Sequence, residues 1–187
     1  MQKKLPLILA SSSPRRKKIL SEMGYDFSII SPDVEESNYE SAKKTVSENA
    51  KIKAEYVATQ FPNSTVIAAD TVVSLDDHIL GKPKDMNEAI KMLQSLSGRQ
   101  HEVLTGVSIR GPKISFDFVE SSEVIFKELS EAKIQNYFSK CDPLDKAGAY
   151  NIDEYGDLIV QKICGSHTNI MGLPDKTLLE TLKKIKI

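Results

Sequence analysis

Between Thr65 and Leu75 runs Val66-Ile67-Ala68-Ala69-Asp70-Thr71-Val72-Val73, a near-continuous apolar stretch that admits a single carboxylate. Apolar content of this length, rich in β-branched residues, reads as a buried strand. Burying an unpaired charge there costs several kcal/mol. Asp70 therefore needs a cation, a metal, or a strand end that opens onto a site. A structural salt bridge meets the same requirement, and a functional acid is the favoured reading.

The segments around this strand alternate in period. Residues 5–10 read as a short buried strand, and Ser13-Pro14 opens a helix that stops at Gly24. Residues 25–30 give a second short strand, followed by a polar loop and a helix over 42–60. Asp76-Asp77 turns the 65–75 strand back through 78–80. Asp85 and Glu88 form a capping box for a helix with Met86, Ala89, Ile90 and Leu93 toward the core, ended by Gly98. Alternating runs over 102–110 and 114–126 flank a hairpin turn at Gly111-Pro112. Ser130 caps a helix to about Ser139, a strand follows over 157–163, and Pro174 opens the last helix. The expectation is an α/β fold with a mixed sheet flanked by helices. With 187 residues and neither repeats nor a Pro/Gly-rich linker, a single domain over 1–187 is expected, its cleft between two lobes.

Charge narrows the function classes. Charged residues make up 27% and nearly cancel, leaving a formal net charge of −1, so no global field calls for nucleic acid or a membrane surface. An anionic ligand would need its cations concentrated locally. His78, His101 and His167 lie far apart and beside no cysteine, which excludes zinc-type spacing. Cys141 and Cys164 read as reduced thiols. The start resembles a signal peptide only superficially: its apolar core covers 5–10 and meets the basic cluster Arg15 to Lys18 at once. A soluble, cytoplasmic protein is expected.

A local cation cluster follows the first strand. In Ser11-Ser12-Ser13-Pro14-Arg15-Arg16, Ser13 suits the N-cap and Pro14 the first helical position. Free N–H groups there, with the serine hydroxyls, form an anion site. Ile19, Leu20 and Met23 set the buried face; at roughly 3.6 residues per turn Arg16 falls near its centre and Arg15 at its edge. Lys17 and Lys18 fall on the solvent side. Opposite charges ~4 Å apart gain about 4 kcal/mol at an effective dielectric near 20. An anion between the arginines and pairing with surface carboxylates are equal alternatives on this ground alone.

On the second long helix Val46, Ala50 and Val57 form a stripe that Lys53 shares, so Lys53 must snorkel, pair, or face a cleft. Glu35-Glu36 could add a carboxylate suited to Mg²⁺ held with phosphate oxygens, and loop acids of this kind are usually just solvated. Gly81-Lys82-Pro83 sets Lys82 in a constrained turn. The small-residue segment 145–150 offers either ligand access to the backbone or a tight connection, and Tyr150 is placed in the core.

Together these segments resemble the Maf family of nucleotide pyrophosphatases. The pieces are Leu-Ile-Leu-Ala-Ser-Ser-Ser-Pro-Arg-Arg (7–16), Ala-Ala-Asp-Thr-Val-Val (68–73), Gly-Lys-Pro (81–83), Leu-Ser-Gly-Arg (96–99), Pro-Leu-Asp-Lys-Ala-Gly-Ala-Tyr (143–150) and Met-Gly-Leu-Pro (171–174), in family order over almost the whole chain. The resemblance implies an elongated, inosine-triphosphatase-like fold. It implies hydrolysis of a nucleoside triphosphate to the monophosphate and pyrophosphate, assisted by Mg²⁺ or Mn²⁺. It assigns Asp70 as proton acceptor, Ser11, Arg15, Arg16, Lys53 and Lys82 to the phosphates, and Glu36 with Asp70 to the metal. Ser-Pro-Arg-Arg with Asp70-Thr71 looks like the branch acting on dTTP and UTP, which makes Arg15 and Thr71 specificity positions. The branch preferring methylated guanine nucleotides carries a bulky aromatic in place of Arg15. One departure stands out: the base-reading position, usually glutamine, is Asp153 here. An ionised carboxylate only accepts hydrogen bonds, so modified pyrimidines stay open. A methylated-purine enzyme and a non-catalytic regulator of septum formation are the alternatives, and a homodimer is left open.

Overall fold

The computed structural model describes residues 5–185 and 187, so the leader comparison at residues 1–4 lies outside the described residues. A seven-stranded mixed sheet organises the molecule: β1 (Leu7–Ala10), β2 (Ser28–Ile29), β3 (Thr65–Leu75), β4 (His78–Leu80), β5 (Gln100–Gly111), β6 (Ile114–Phe126) and β7 (Val160–Cys164). Their order is β2-β1-β3-β5-β6-β7, with β4 also pairing β3. β1 runs parallel to β2 and β3, whereas the β3–β4, β3–β5, β5–β6 and β6–β7 pairs are antiparallel. The helices are α1 (Pro14–Glu22), α2 (Ala42–Gln60), α3 (Met86–Leu96), α4 (Glu131–Phe138), α5 (His167–Ile170) and α6 (Asp175–Lys184). The expected mixed sheet with flanking helices is therefore present.

β3 shows why both faces must be covered. Val66 and Ala68 pack with Ala54 and Val57 of α2, and Val72 packs with Val46 of the same helix. On the opposite face Ile67 and Ala69 join Ile19, Leu20 and Leu178, while Val73 and Leu75 join Leu93, Phe126 and Tyr137. Two-residue alternation in an almost wholly apolar strand places one helical layer on each side. Ser13, Ser41, Asp85 and Ser130 each cap a helix by accepting a backbone N–H. The Asp76-Asp77 turn lies in the left-handed region at both residues, as a two-residue hairpin needs.

Several boundaries differ from expectation. β1 starts at Leu7, because Leu5 is exposed, and β2 shrinks to two residues. Met86 is exposed, and Met92 and Leu96 join Ala89 and Leu93 on the buried face of α3, because positions 89, 92, 93 and 96 share one helical face that the first turn's Met86 leaves. The β5–β6 turn sits at Pro112-Lys113, with Gly111 still paired to Ile114. A short 3₁₀ turn (Gly156–Leu158) occupies the start of the expected 157–163 strand. Both cysteines are free. Among the described residues no helix is long and apolar enough to cross a membrane.

Candidate active site

The site lies where β3 loses a neighbour. One edge of β3 pairs with β5 along Val66 to Ser74. The other edge pairs with β1 only up to Ala68, and with β4 only from Val73 onward. Between them, at residues 69–72, no described strand continues the sheet on that edge. β1 ends there at its C-terminal end and hands over to α1, so the gap opens beside a helix N-terminus, a common place for ligands in α/β sheets. A cleft of about 540 Å³ occupies it, lined by residues 10–16, Glu36, Asn49, Lys53, residues 70–73, Lys82, Asn151 and Gly172 among others.

Asp70 is buried on the α2 side of the sheet. Its Oδ1 accepts from Lys53 Nζ at 2.7 Å and its Oδ2 from Asn49 Nδ2 at 3.1 Å. Lys53 Nζ also meets Glu36 Oε1 at 2.8 Å, so one ammonium joins two carboxylates. Burial opposes ionisation of the Glu36 carboxyl, but the Lys53 hydrogen bond and charge outweigh it and hold the group below its usual range. The pairing answers the problem set by the apolar run: a buried charge is tolerable when countercharged and hydrogen-bonded. It is not sealed off, since all three side chains line the cleft.

Asn49, absent from the sequence-derived set, binds the assembly together. Besides Asp70, its Nδ2 donates to Ser37 O at 3.1 Å, and its Oδ1 accepts from Ser37 N at 3.1 Å. The amide thus grips the backbone of the loop that carries Glu36. Its only sequence signal is a polar residue four before Lys53 in the buried stripe of α2. α2 reaches the sheet because Gly106, opposite Asp70 in register, has no side chain. A Cβ at Gly106 would lie 2.3 Å from Val46 O.

Arg16 is half-buried and acts as a strut. Its Nε donates to Gly172 O at 2.8 Å, NH1 to Ser11 Oγ at 3.2 Å and NH2 to Thr71 Oγ1 at 3.0 Å. Thr71 Oγ1 lies 3.0 Å from Thr105 Oγ1, which donates to Asn169 O at 2.9 Å. With that proton committed, Thr71 donates to Thr105, and the hydroxyl chain runs one way from Arg16 to Asn169. Burial lowers the Arg16 pKa, and Asp70 opposes the shift. Three of its five N–H groups are committed to protein, which makes Arg16 as much a brace as an anion ligand. Gly172, in the left-handed region at φ +102°, presents that carbonyl; a Cβ there would crowd Thr71 Oγ1 at 3.1 Å.

Ser11, Ser12, Ser13 and Arg15 line the same cleft, as does Lys82 from the turn after β4. Arg15 and Lys146 both act on Asp145: burial works to raise that carboxyl, and the Lys146 hydrogen bond, seconded by the charges of Lys146 and Arg15, brings it below the ordinary value. The segment 145–150 forms a tight connection, with Gly148 N donating to Gly81 O at 3.0 Å. Tyr150 is buried against His101 and Phe126. Asp153 does not line the cleft. Its carboxylate turns to Lys18 Nζ and His167 Nε2, each 3.7 Å away, because Asn151 Oδ1 accepts from Asp153 N at 3.1 Å and folds the chain into an Asx turn. Asn151 and Ile152 line the cleft instead.

A divalent cation fits the donor set. No group of three or more His, Cys, Asp or Glu converges among the described residues, so a cage made of protein alone is not formed. Glu36 and Asp70 nevertheless both contact Lys53 Nζ, which makes the two carboxylates neighbours with lone pairs to spare, and two carboxylates completed by phosphate oxygens and water are the usual surroundings of Mg²⁺.

An open strand edge beside a helix N-terminus, floored by a carboxylate and ringed by cations, defines an α/β protein built to hold a polyanion. The fold is shared with the Ham1 protein of Staphylococcus aureus, at a TM-score of 0.58 over 97% of this chain and 100% of that one, with 18% identity. A HAM1 protein from Coxiella burnetii superposes at 0.55 over 97% and 98%, with 16% identity. The chain belongs to the Maf family, whose model, described as Maf-like protein, matches residues 6–185. It is 44% identical over 179 residues to a dTTP/UTP pyrophosphatase of Akkermansia muciniphila, covering 95% of each. A dTTP/UTP pyrophosphatase from Geobacillus sp. is 45% identical over 182 residues, 96% of each chain. One from Vibrio parahaemolyticus is 42% identical over 177 residues, 93% of this chain and 94% of that one.

Proposed function

We propose that this protein hydrolyses dTTP and UTP between the α- and β-phosphates, releasing the nucleoside monophosphate and pyrophosphate. The observation that carries the reading is the convergence of Asp70 and Glu36 on Lys53 at the open edge of β3, in one cleft with the α1 N-terminus. The printed activity of the relatives supports the substrate class.

In this reading the triphosphate lies against the N–H groups at the start of α1, the hydroxyls of residues 11–13, Arg15 and Lys82. The backbone N–H groups at the start of α1 are fixed before the substrate arrives, and so stabilise developing charge without reorganising; Arg15 and Lys82 add positive charge from the cleft wall. Asp70, oriented by Asn49 and Lys53, accepts a proton from the attacking water as its oxygen bonds to phosphorus and the α–β bridging bond breaks. Lys53 keeps the carboxylates from repelling one another and follows the charge as the proton moves. A cation bound by Glu36 and Asp70 would supply Lewis-acid polarisation of the phosphate oxygens. The two free thiols support a reducing, cytoplasmic setting.

A panel of nucleoside triphosphates with Mg²⁺ or Mn²⁺, scored separately for pyrophosphate and orthophosphate, tests the proposal. Pyrophosphate from dTTP and UTP, abolished by chelation and restored by either metal, is the expected result. Orthophosphate alone would move the protein to another reaction class.

A further inference from the structure

The cleft has an apolar wall as well as a cationic one. Val73, Val103, Tyr150, Ile152 and Ile170 belong to one packed hydrophobic cluster and also line the cleft. A base, unlike a phosphate, gains by leaving water for such a wall, and polar groups set into it then decide which base is accepted.

Asn151 is the amide in that wall. It is 6% exposed. Both its backbone groups are held by one hydroxyl: Tyr137 Oη donates to Asn151 O at 3.0 Å and accepts from Asn151 N at 2.9 Å. Its side chain is held as well. Because Oδ1 accepts from Asp153 N at 3.1 Å, the amide cannot be turned round without setting an NH₂ against an N–H. Nδ2 is therefore the free end. It makes no hydrogen bond with any described group, and it is not among the solvent-sealed polar atoms that lack a partner. A donor with two N–H groups is left on a residue that lines the cleft between Tyr150 and Ile152.

We infer that Asn151 reads the base, donating from Nδ2 to a ring carbonyl oxygen and so selecting uracil- and thymine-type bases over cytosine. The inference rests on the proposed nucleotide reaction and deepens it. Uracil and thymine carry a carbonyl where cytosine carries an amino group. A carbonyl meets the Nδ2 donor productively; an amino group faces it donor to donor and leaves both unpaired in a dry site. Asp153, turned toward Lys18 and His167, takes no part in this discrimination.

Two measurements on the intact protein test it: calorimetric titration with UMP and CMP, and pyrophosphate release from UTP and CTP. Wild type binds UMP more tightly than CMP. Asn151→Asp keeps an oxygen for the Asp153 N–H and replaces the donor by an acceptor, so the UMP-to-CMP affinity ratio falls roughly tenfold to a hundredfold. Asn151→Ala, which introduces no charge, brings the ratio toward unity, and Asp153→Ala leaves it as in wild type. Thermal melting checks that each variant folds. An unchanged ratio in folded Asn151→Ala, or no UMP preference in wild type, overturns the inference. If no nucleotide yields pyrophosphate while the UMP preference exists and disappears with Asn151, the hydrolysis reading fails and the base-reading role stands.

Discussion

Gly106 stands directly opposite Asp70 in the β3–β5 register, and the backbone of α2 passes over it so closely that a methyl group would strike the carbonyl of Val46. That approach lets Asn49 and Lys53, on the same helix, reach the carboxylate. The absence of a side chain on β5 and the pairing of the acid on β3 are one structural fact.

Gly106→Ala therefore pushes α2 away from the sheet. Overpacking of this kind costs about 1–3 kcal/mol, and pyrophosphate release should fall further than the stability loss accounts for, because Asn49 and Lys53 retreat from Asp70. Urea unfolding read beside turnover separates the two. Full activity in the variant would show that the close seat of α2 is dispensable.

Asp70→Asn keeps the shape of the side chain and removes the proton acceptor. Turnover should drop about 10²–10⁴-fold, the usual contribution of a general base. Glu36 still pairs Lys53 in this variant, so the fold survives. Circular dichroism melting with initial rates on dTTP checks both halves, and a rate equal to the parent's would remove Asp70 from the chemistry.

Arg16→Lys is not a conservative change here. One ammonium cannot span Ser11 Oγ, Thr71 Oγ1 and Gly172 O together, whereas the guanidinium fork does. Leaving those acceptors unserved costs about 1–3 kcal/mol, visible as a lowered denaturant midpoint. Arg15→Lys, at a side chain that lines the cleft without such bracing, should weaken nucleotide binding and leave the midpoint where it was.

His101 makes stability depend on pH. Its Nε2 lies 2.8 Å from the Tyr150 hydroxyl, and burial pushes its pKa down from 6.5 to about 4. In the unfolded chain the ring protonates as pH falls through 6.5, while the folded ring resists until about 4. Protons thus favour the unfolded state. The full stability present above pH 6.5 is lost progressively down to pH 4, by at most about 3 kcal/mol. Wild type compared with His101→Leu across that window isolates the effect: the variant should lose less stability on acidification, and parallel curves would refute the assignment.

Much of the fold is legible in the chain because it is local. The apolar run at Thr65–Leu75, the capping residues Ser13, Asp85 and Ser130, and the Asp76-Asp77 turn each act within a few residues, and the structure places them as expected. Helical spacing separates Arg15 and Arg16 from the exposed Lys17 and Lys18 in the same way. Asp70 announces itself because a charge in an apolar strand is costly wherever it sits.

Tertiary structure alone decided what surrounds that charge. Nothing near Asn49 in the chain says that its amide will bridge Ser37 and Asp70, since the contact depends on how closely α2 settles on β5. In the irregular turn after Tyr150 no period tells which side chain faces inward. There the Tyr137 hydroxyl and an Asx hydrogen bond set Asn151 in the cleft and turn Asp153 out of it. A sequence prescribes the preferences of neighbours, whereas a site made from several distant segments exists only once packing brings their side chains within hydrogen-bonding distance.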